Sequence, residues 1–296
     1  MKQNILTLTL ALIGTAAHAQ FNLANYQLVN TVSYAPTVSY PGLPANDELS
    51  GVTYNWDNGR LYAVEDEGEA IYEFSKTGAL LSTMALTGGF ADVEGITYIG
   101  GGQFLMAEER VQNIVRFNYA PSTTLNRVGL PTFNVGPTVG NVGLEGIGYD
   151  PVGGTVFGVK EKTPQAIYNV TLDFPTMTGS VSSFTPSLGL LDLSDVQPLA
   201  GVASVVGAGS ADNLLIYSQE SGKLLEVTRA GAVVSEFDLT LALSASAEGV
   251  TIDEEGTIYI VSEDPKLFIL KPVPEPSALA LLGLGGAALA FLRRRK

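Results

Sequence analysis

The chain has 296 residues, no cysteine, a single histidine and a formal net charge of −14 at neutral pH. Without cysteine there is no thiol catalysis, thiolate metal site or disulfide, and the excess of acid repels nucleic acid while drawing in cations. The one histidine, His18, falls in an N-terminal segment that reads as cleaved, which excludes Ser-His-Asp triads, imidazole acid–base work and the usual zinc sets, and leaves metal binding to oxygen donors suited to Ca²⁺ or Mg²⁺.

In chain order, Met1-Lys2-Gln3-Asn4 leads into the apolar run Ile5 to Ala16 and then Ala17-His18-Ala19. A positive start, a short apolar stretch and an A-x-A site predict a secretory signal peptide over 1–19 rather than a buried first helix. Residues 20–47 read as a lead-in without a sustained pattern.

The body then repeats. Leu49-Ser50-Gly51-Val52-Thr53-Tyr54 returns as Val93-Glu94-Gly95-Ile96-Thr97-Tyr98 and as Leu144-Glu145-Gly146-Ile147-Gly148-Tyr149. It returns loosely as Leu193-Ser194-Asp195-Val196, and finally as Ala247-Glu248-Gly249-Val250-Thr251-Ile252. The intervals between the positions equivalent to Gly51 are 44, 51, 49 and 54 residues, the size of a four-stranded propeller blade. In each unit a turn such as Asp57-Asn58-Gly59 or Glu254-Glu255-Gly256 separates the first run from a second alternating one. Short period-two runs around strong turns read as antiparallel hairpins. The expected fold is all-β, a five-bladed β-propeller over 48–272, with a pair of β-sandwiches as the alternative. The fourth unit departs from the pattern: Asp195 stands in place of Gly, and Gln197–Ala211 is longer than its counterparts.

Acids recur where the second runs end, at Asp66, Glu109, Glu161, Glu220 and Glu263. The hairpin register is expected to set Glu94 against Glu108, Glu145 against Glu161 and Glu248 against Glu263. If the first strands line the central channel, Glu94, Glu145 and Glu248 converge at one mouth with Ser50 and Ser194, and the second-run acids form a partial outer ring. Like charges that close destabilise each other. A Ca²⁺ ion, which accepts six to eight oxygens in loose geometry, is the simplest compensation. The competing reading is that these are solvated loop charges.

On the strings Glu48-Leu49-Ser50-Gly51-Val52, Asp92-Val93-Glu94-Gly95-Ile96, Gly143-Leu144-Glu145-Gly146-Ile147 and Ala247-Glu248-Gly249-Val250, the body from about Glu48 to Leu270 resembles the SdiA-regulated family of secreted or envelope proteins. The resemblance implies a five-bladed propeller, distantly similar to NHL-repeat propellers, with a calcium site and no established reaction.

The chain closes with Val273-Pro274-Glu275-Pro276-Ser277, the apolar run 278–292 and Arg293-Arg294-Arg295-Lys296. Prolines set an extended spacer. The run is short for an average membrane span, and the basic end is expected on the cytoplasmic side. Residues 273–296 resemble a PEP-CTERM sorting signal; an ordinary C-terminal anchor is the alternative. The resemblance implies processing by an exosortase-type enzyme, a Gram-negative, polysaccharide-producing source, and membrane attachment through 278–292 until the tail is removed. The expected protein is thus exported to the outer envelope, cell surface or matrix. It is expected to be a non-enzymatic, calcium-binding module for exopolysaccharide or another envelope protein, with no nucleic-acid partner. The alternative is a calcium-dependent hydrolase of the esterase, lactonase or phytase type.

Overall fold

The structure, a computed structural model, describes residues 21–34, 43, 48–67, 69–240 and 246–273. The expected signal peptide (1–19), the Pro-Glu-Pro segment and the apolar run 278–292 lie outside the described residues. Among the described residues no helix is long and apolar enough to cross a membrane.

Five antiparallel sheets form the five blades of a β-propeller. The inner strands are Leu49–Asn55, Val93–Gly100, Leu144–Asp150, Asp195–Pro198 and Ala247–Ile252. The second strands are Arg60–Glu65, Gln103–Glu108, Thr155–Lys160, Leu214–Ser218 and Ile258–Ser262. Third strands follow at Ala70–Ser75, Asn113–Asn118, Ala166–Asp173, Lys223–Val227 and Lys266–Pro272. The core consists of five apolar clusters, one between each pair of neighbouring blades. Each blade is therefore covered on both faces, and its middle strands are apolar at successive positions. In blade 1, Leu61 and Ala63 pack toward blade 5 while Tyr62 and Val64 pack toward blade 2. Packing of this kind, blade against blade around one axis, replaces the sandwich alternative.

The threonine of the repeat clips neighbouring blades together. Tyr98 N donates to Thr53 Oγ1 at 3.0 Å, Tyr149 N to Thr97 Oγ1 at 2.9 Å and Tyr54 N to Thr251 Oγ1 at 3.0 Å. These bonds satisfy inner-strand amides that have no further strand on the axial side.

The segment read as a lead-in closes the ring. Its Tyr26–Ser33 is the outer strand of blade 5, paired antiparallel with the chain's last strand from Tyr26 opposite Pro272 to Ser33 opposite Lys266. Only one face of an outer strand is covered, so five of its eight residues are exposed and the apolar alternation is weak. In blade 4 the inner strand stops at Pro198, and the extra length that follows is turn-rich, burying Leu199, Val202 and Val205 in the core between blades 4 and 5. A three-residue strand, Thr124–Asn126, adds to the outer edge of blade 1 in parallel.

Candidate metal centre at the acid-lined mouth

The start of the inner strand in four of the blades carries the repeated Glu/Ser-Gly pair, and the ladder is irregular there. Pairing with the second strand slips between Leu49 and Gly51, Val93 and Gly95, Leu144 and Gly146, and Ala247 and Val250. A bulge takes a residue out of the ladder and re-aims its side chain. The residues so released are Ser50, Glu94, Glu145 and Glu248. They line one small cavity of about 20 Å³ together with Ser194, Glu161, Asp192 and Gln219.

The glycines after them are required by close approach. A Cβ on Gly95 would lie 2.8 Å from Glu145 O, and one on Gly249 would lie 2.5 Å from Ser50 O. Neighbouring inner strands thus touch backbone to backbone. Asp195, which stands in the series where the others have glycine, makes a polar clip instead: Oδ2 accepts Val250 N at 2.7 Å and Oδ1 accepts Val196 N at 2.8 Å. Its burial pushes the carboxyl well above the usual range despite these bonds.

A second tier comes from the ends of the second strands. Asp66, Glu109, Glu161 and Glu263 each donate their amide to the carbonyl of Glu48, Asp92, Gly143 and Ser246 respectively, at 2.8–3.0 Å. That shared bond fixes the equivalent position in four blades; in blade 4 the position falls to Gln219, whose amide donates instead to Ser194 Oγ at 2.9 Å. Glu220, expected in the ring, lies one residue further on, exposed and paired with Lys162 at 2.7 Å. Glu108 is also displaced from its expected place opposite Glu94. It faces Val93 in the ladder and holds Arg127 with both oxygens, at 2.7 and 2.9 Å.

The acids gather in three groups whose carboxylate oxygens lie within 4.8 Å of one another: Glu48 with Asp66 and Glu263, Asp66 with Asp92 and Glu94, and Glu109 with Glu145 and Glu161. Seven of the eight expected ligand residues, Glu220 excepted, line the cavity or join these groups. Sequence reading missed Glu48, Asp92, Asp192 and Gln219. The first three stand two residues before Ser50, Glu94 and Ser194, as Glu48-Leu49-Ser50, Asp92-Val93-Glu94 and Asp192-Leu193-Ser194, a repeat of acid-apolar-Glu/Ser.

The electrostatics are unfavourable for bare carboxylates. Glu94, Glu145 and Glu248 keep a little surface open to the cavity, yet desolvation is the main cause that lifts each carboxyl well above its ordinary value. Repulsion from neighbouring acids adds to it, led by Glu248 for Glu94, by Glu94 for Glu145 and by Glu263 for Glu248. Burial beside Asp92 pushes Glu109 up to about 7. Glu109 is 1 % exposed; its Oε1 accepts Gly143 N at 2.8 Å, whereas Oε2 receives no hydrogen bond from the described residues. An orphaned buried oxygen of this kind is costly.

Nearby basic groups are already engaged. Arg110 Nε contacts Asp92 at 2.5 Å, Lys162 joins Glu161 to Glu220, and Lys160 Nζ donates to the carbonyls of Val142, at 2.6 Å, and Lys162. Blade 4 contributes only neutral or satisfied groups. Gln219 Nε2 reaches Glu263 at 3.5 Å, and Asp192 accepts from Ser194, Ser218 and the Glu220 amide.

The family model described as SdiA-regulated matches residues 30–270, and the PEP-CTERM protein-sorting motif matches residues 272–296. Among solved structures, the chain is similar to a streptogramin B lyase at 16 % identity, with 78 % of this chain and 67 % of the other covered and a TM-score of 0.43. It is similar to virginiamycin B lyase from Staphylococcus aureus at 14 % identity, with 86 % and 98 % covered and a TM-score of 0.45. A protein of unknown function from Bacteroides caccae matches at 12 % identity, with 75 % and 73 % covered and a TM-score of 0.47. At that distance nothing about binding or reaction transfers to this chain.

Proposed function

We propose that this chain, which belongs to the SdiA-regulated family, is an exported binding module whose propeller holds Ca²⁺ at its acid-lined mouth. The PEP-CTERM motif marks the chain for export, for membrane attachment at its C-terminus and for processing by an exosortase. Delivery to the cell surface or an extracellular matrix, and engagement there of exopolysaccharide or another envelope protein, extend that reading.

The observation that carries the calcium reading is the orphaned, buried Glu109 Oε2 set among Glu145 and Glu161, beside the cavity that Glu94 and Glu248 also line. The donor set fits the ion. All its members are oxygens, several carboxylates lie within bridging distance, and the neutral oxygens of Ser50, Ser194 and Gln219 border the same cavity. Many oxygens in irregular geometry favour Ca²⁺ over Mg²⁺, which demands a regular octahedron. Glu94, Glu145 and Glu248 would hold the ion, with Glu109, Glu161, Asp66 and Glu263 around them. Bound there, a dication offsets the repulsion that these side chains otherwise impose.

The hydrolase alternative draws support from Lys160, whose ammonium burial pulls below the ordinary lysine value beside Glu161 and Glu109. Both hydrogen bonds of its Nζ go to backbone carbonyls, however, which suits a structural tie better than a proton relay. The binding-module reading is therefore preferred.

The test is thermal unfolding of the full chain in EDTA, in Ca²⁺ and in Mg²⁺. A rise specific to Ca²⁺, absent from the Glu94→Gln, Glu145→Gln, Glu248→Gln triple variant, supports the site. Equal melting in all three conditions removes it.

A further inference from the structure

The inner strands end about 20 Å from the acid mouth, at a rise of roughly 3.3 Å per residue. There a second cavity of about 350 Å³ opens, to which all five blades contribute. That volume lies at the small end of the range for small-molecule sites, about 300–1,000 Å³. Its walls are flat and apolar: Trp56, Tyr54 and Tyr149 with Pro151 and Val152. Trp56 is 42 % exposed and Val152 77 %, so both present apolar surface at the rim. The indole is braced, its ring 4.6 Å from that of Tyr98 and inclined at 64°. A rigid aromatic anchor loses little freedom when a ligand stacks on it.

The deeper lining is polar. Thr53 and Thr97 each spend an oxygen lone pair on a neighbouring amide, leaving the hydroxyl proton for a ligand. Gln197 Oε1 accepts from Thr251, and its amide group keeps an N–H beyond the one given to Pro198 O. Charge narrows the choice of ligand. Lys76 already pairs with Asp253 at 3.0 Å and Glu254 at 3.2 Å, with its ammonium 5.7 Å from the Tyr54 ring centre. A cationic ligand would have to displace it, and an anionic one would meet Glu254. A neutral ring with one apolar face and a hydroxyl rim fits what remains.

We infer that this mouth binds neutral saccharide, one or two sugar rings stacked on Trp56 with their hydroxyls bonded to Thr53, Thr97 and Gln197. The inference rests on the binding-module reading, names its ligand class and is independent of the calcium site at the other end. Trp56 is the chain's sole tryptophan, so its emission reports on this cavity alone.

The experiment titrates the full chain with cellobiose, maltose, xylobiose and chitobiose, and with a uronic-acid disaccharide. Tryptophan emission and calorimetry are read in parallel, in Ca²⁺ and again in EDTA. The expected result is saturable binding of at least one neutral disaccharide, with an emission shift, weakened about tenfold or more in Trp56→Ala by calorimetry. Val152→Arg, at an exposed rim position, blocks the cavity without touching the core and is expected to abolish the emission shift. Binding of the acidic disaccharide alone, or heat and emission silent for every probe, overturns the inference. The Ca²⁺-dependent melting of the same samples then shows separately whether the module reading survives.

Discussion

The two mouths of the propeller are built by the same five strands and have opposite physics. At the start of the inner strands, Glu94, Glu145 and Glu248 line one cavity with Glu109 grouped beside Glu145, the nearby Arg110, Lys160 and Lys162 are engaged with other partners, and Glu109 Oε2 has no donor among the described residues. At their end, Asp253 is fully buried but satisfied. It accepts Glu255 N at 3.0 Å, Thr257 N at 2.8 Å and Tyr259 Oη at 3.0 Å, and pairs with Lys76. One mouth is frustrated by like charge and the other is settled, with spare apolar surface. Burial of acids alone therefore says little. What distinguishes a ligand site from a turn is whether the protein itself supplies the partners.

Removing an acid from each end should separate the two mouths most clearly. Asp253→Ala is expected to destabilise by about 3–5 kcal/mol, because it strands the hydrogen-bond donors and the cation around it. The loss should be equal in Ca²⁺ and EDTA by chemical denaturation. Glu109→Gln is expected to do the reverse in EDTA, raising the midpoint, while weakening the gain from Ca²⁺.

Next in size is the ion itself. At a hundredfold excess over its dissociation constant Ca²⁺ is expected to add roughly 2.7 kcal/mol. For a domain of this size that is a rise in Tm of about 5–10 °C. Trp56→Ala at the other mouth should leave this gain unchanged.

A smaller, graded effect is expected from pH. Carboxyls whose folded value is raised bind more protons folded than unfolded, so stability falls as pH rises from the ordinary Glu range through the folded value. For Glu109 that window closes near 7. In EDTA the midpoint should decline from about pH 5 to pH 7, and saturating Ca²⁺ should flatten the decline. A midpoint that instead climbs over this range in EDTA contradicts the shared-burial account. The smallest effect belongs to Glu220→Ala, expected within about 0.5 kcal/mol of the parent as for surface pairs, with Ca²⁺ binding intact.

Much of the acid mouth was legible because its chemistry is written in the repeat. The Glu-Gly pairs at Glu94, Glu145 and Glu248 give both the blade period and the released side chain. Glu220 misled because its neighbour Gln219, not another acid, occupies the equivalent position, and only the strand end at Ser218 reveals the offset. The closing strand Tyr26–Ser33 was hidden for a different reason: its partner strand lies at the far end of the chain, with Ser33 opposite Lys266 and Tyr26 opposite Pro272, and half its surface faces water. Of the aromatic mouth, the sequence shows only Tyr54 and Trp56 close together at the first turn. Trp56 and Tyr149 come from different blades, and nothing short of the closed ring brings them to one cavity.

Calorimetric titration of EDTA-stripped full chain with Ca²⁺ decides whether the acid mouth is a cation site. The expected result is saturable binding, much weaker for Mg²⁺ and lost in the Glu94→Gln, Glu145→Gln, Glu248→Gln variant. No heat of binding, or binding that the triple variant retains in full, would contradict it.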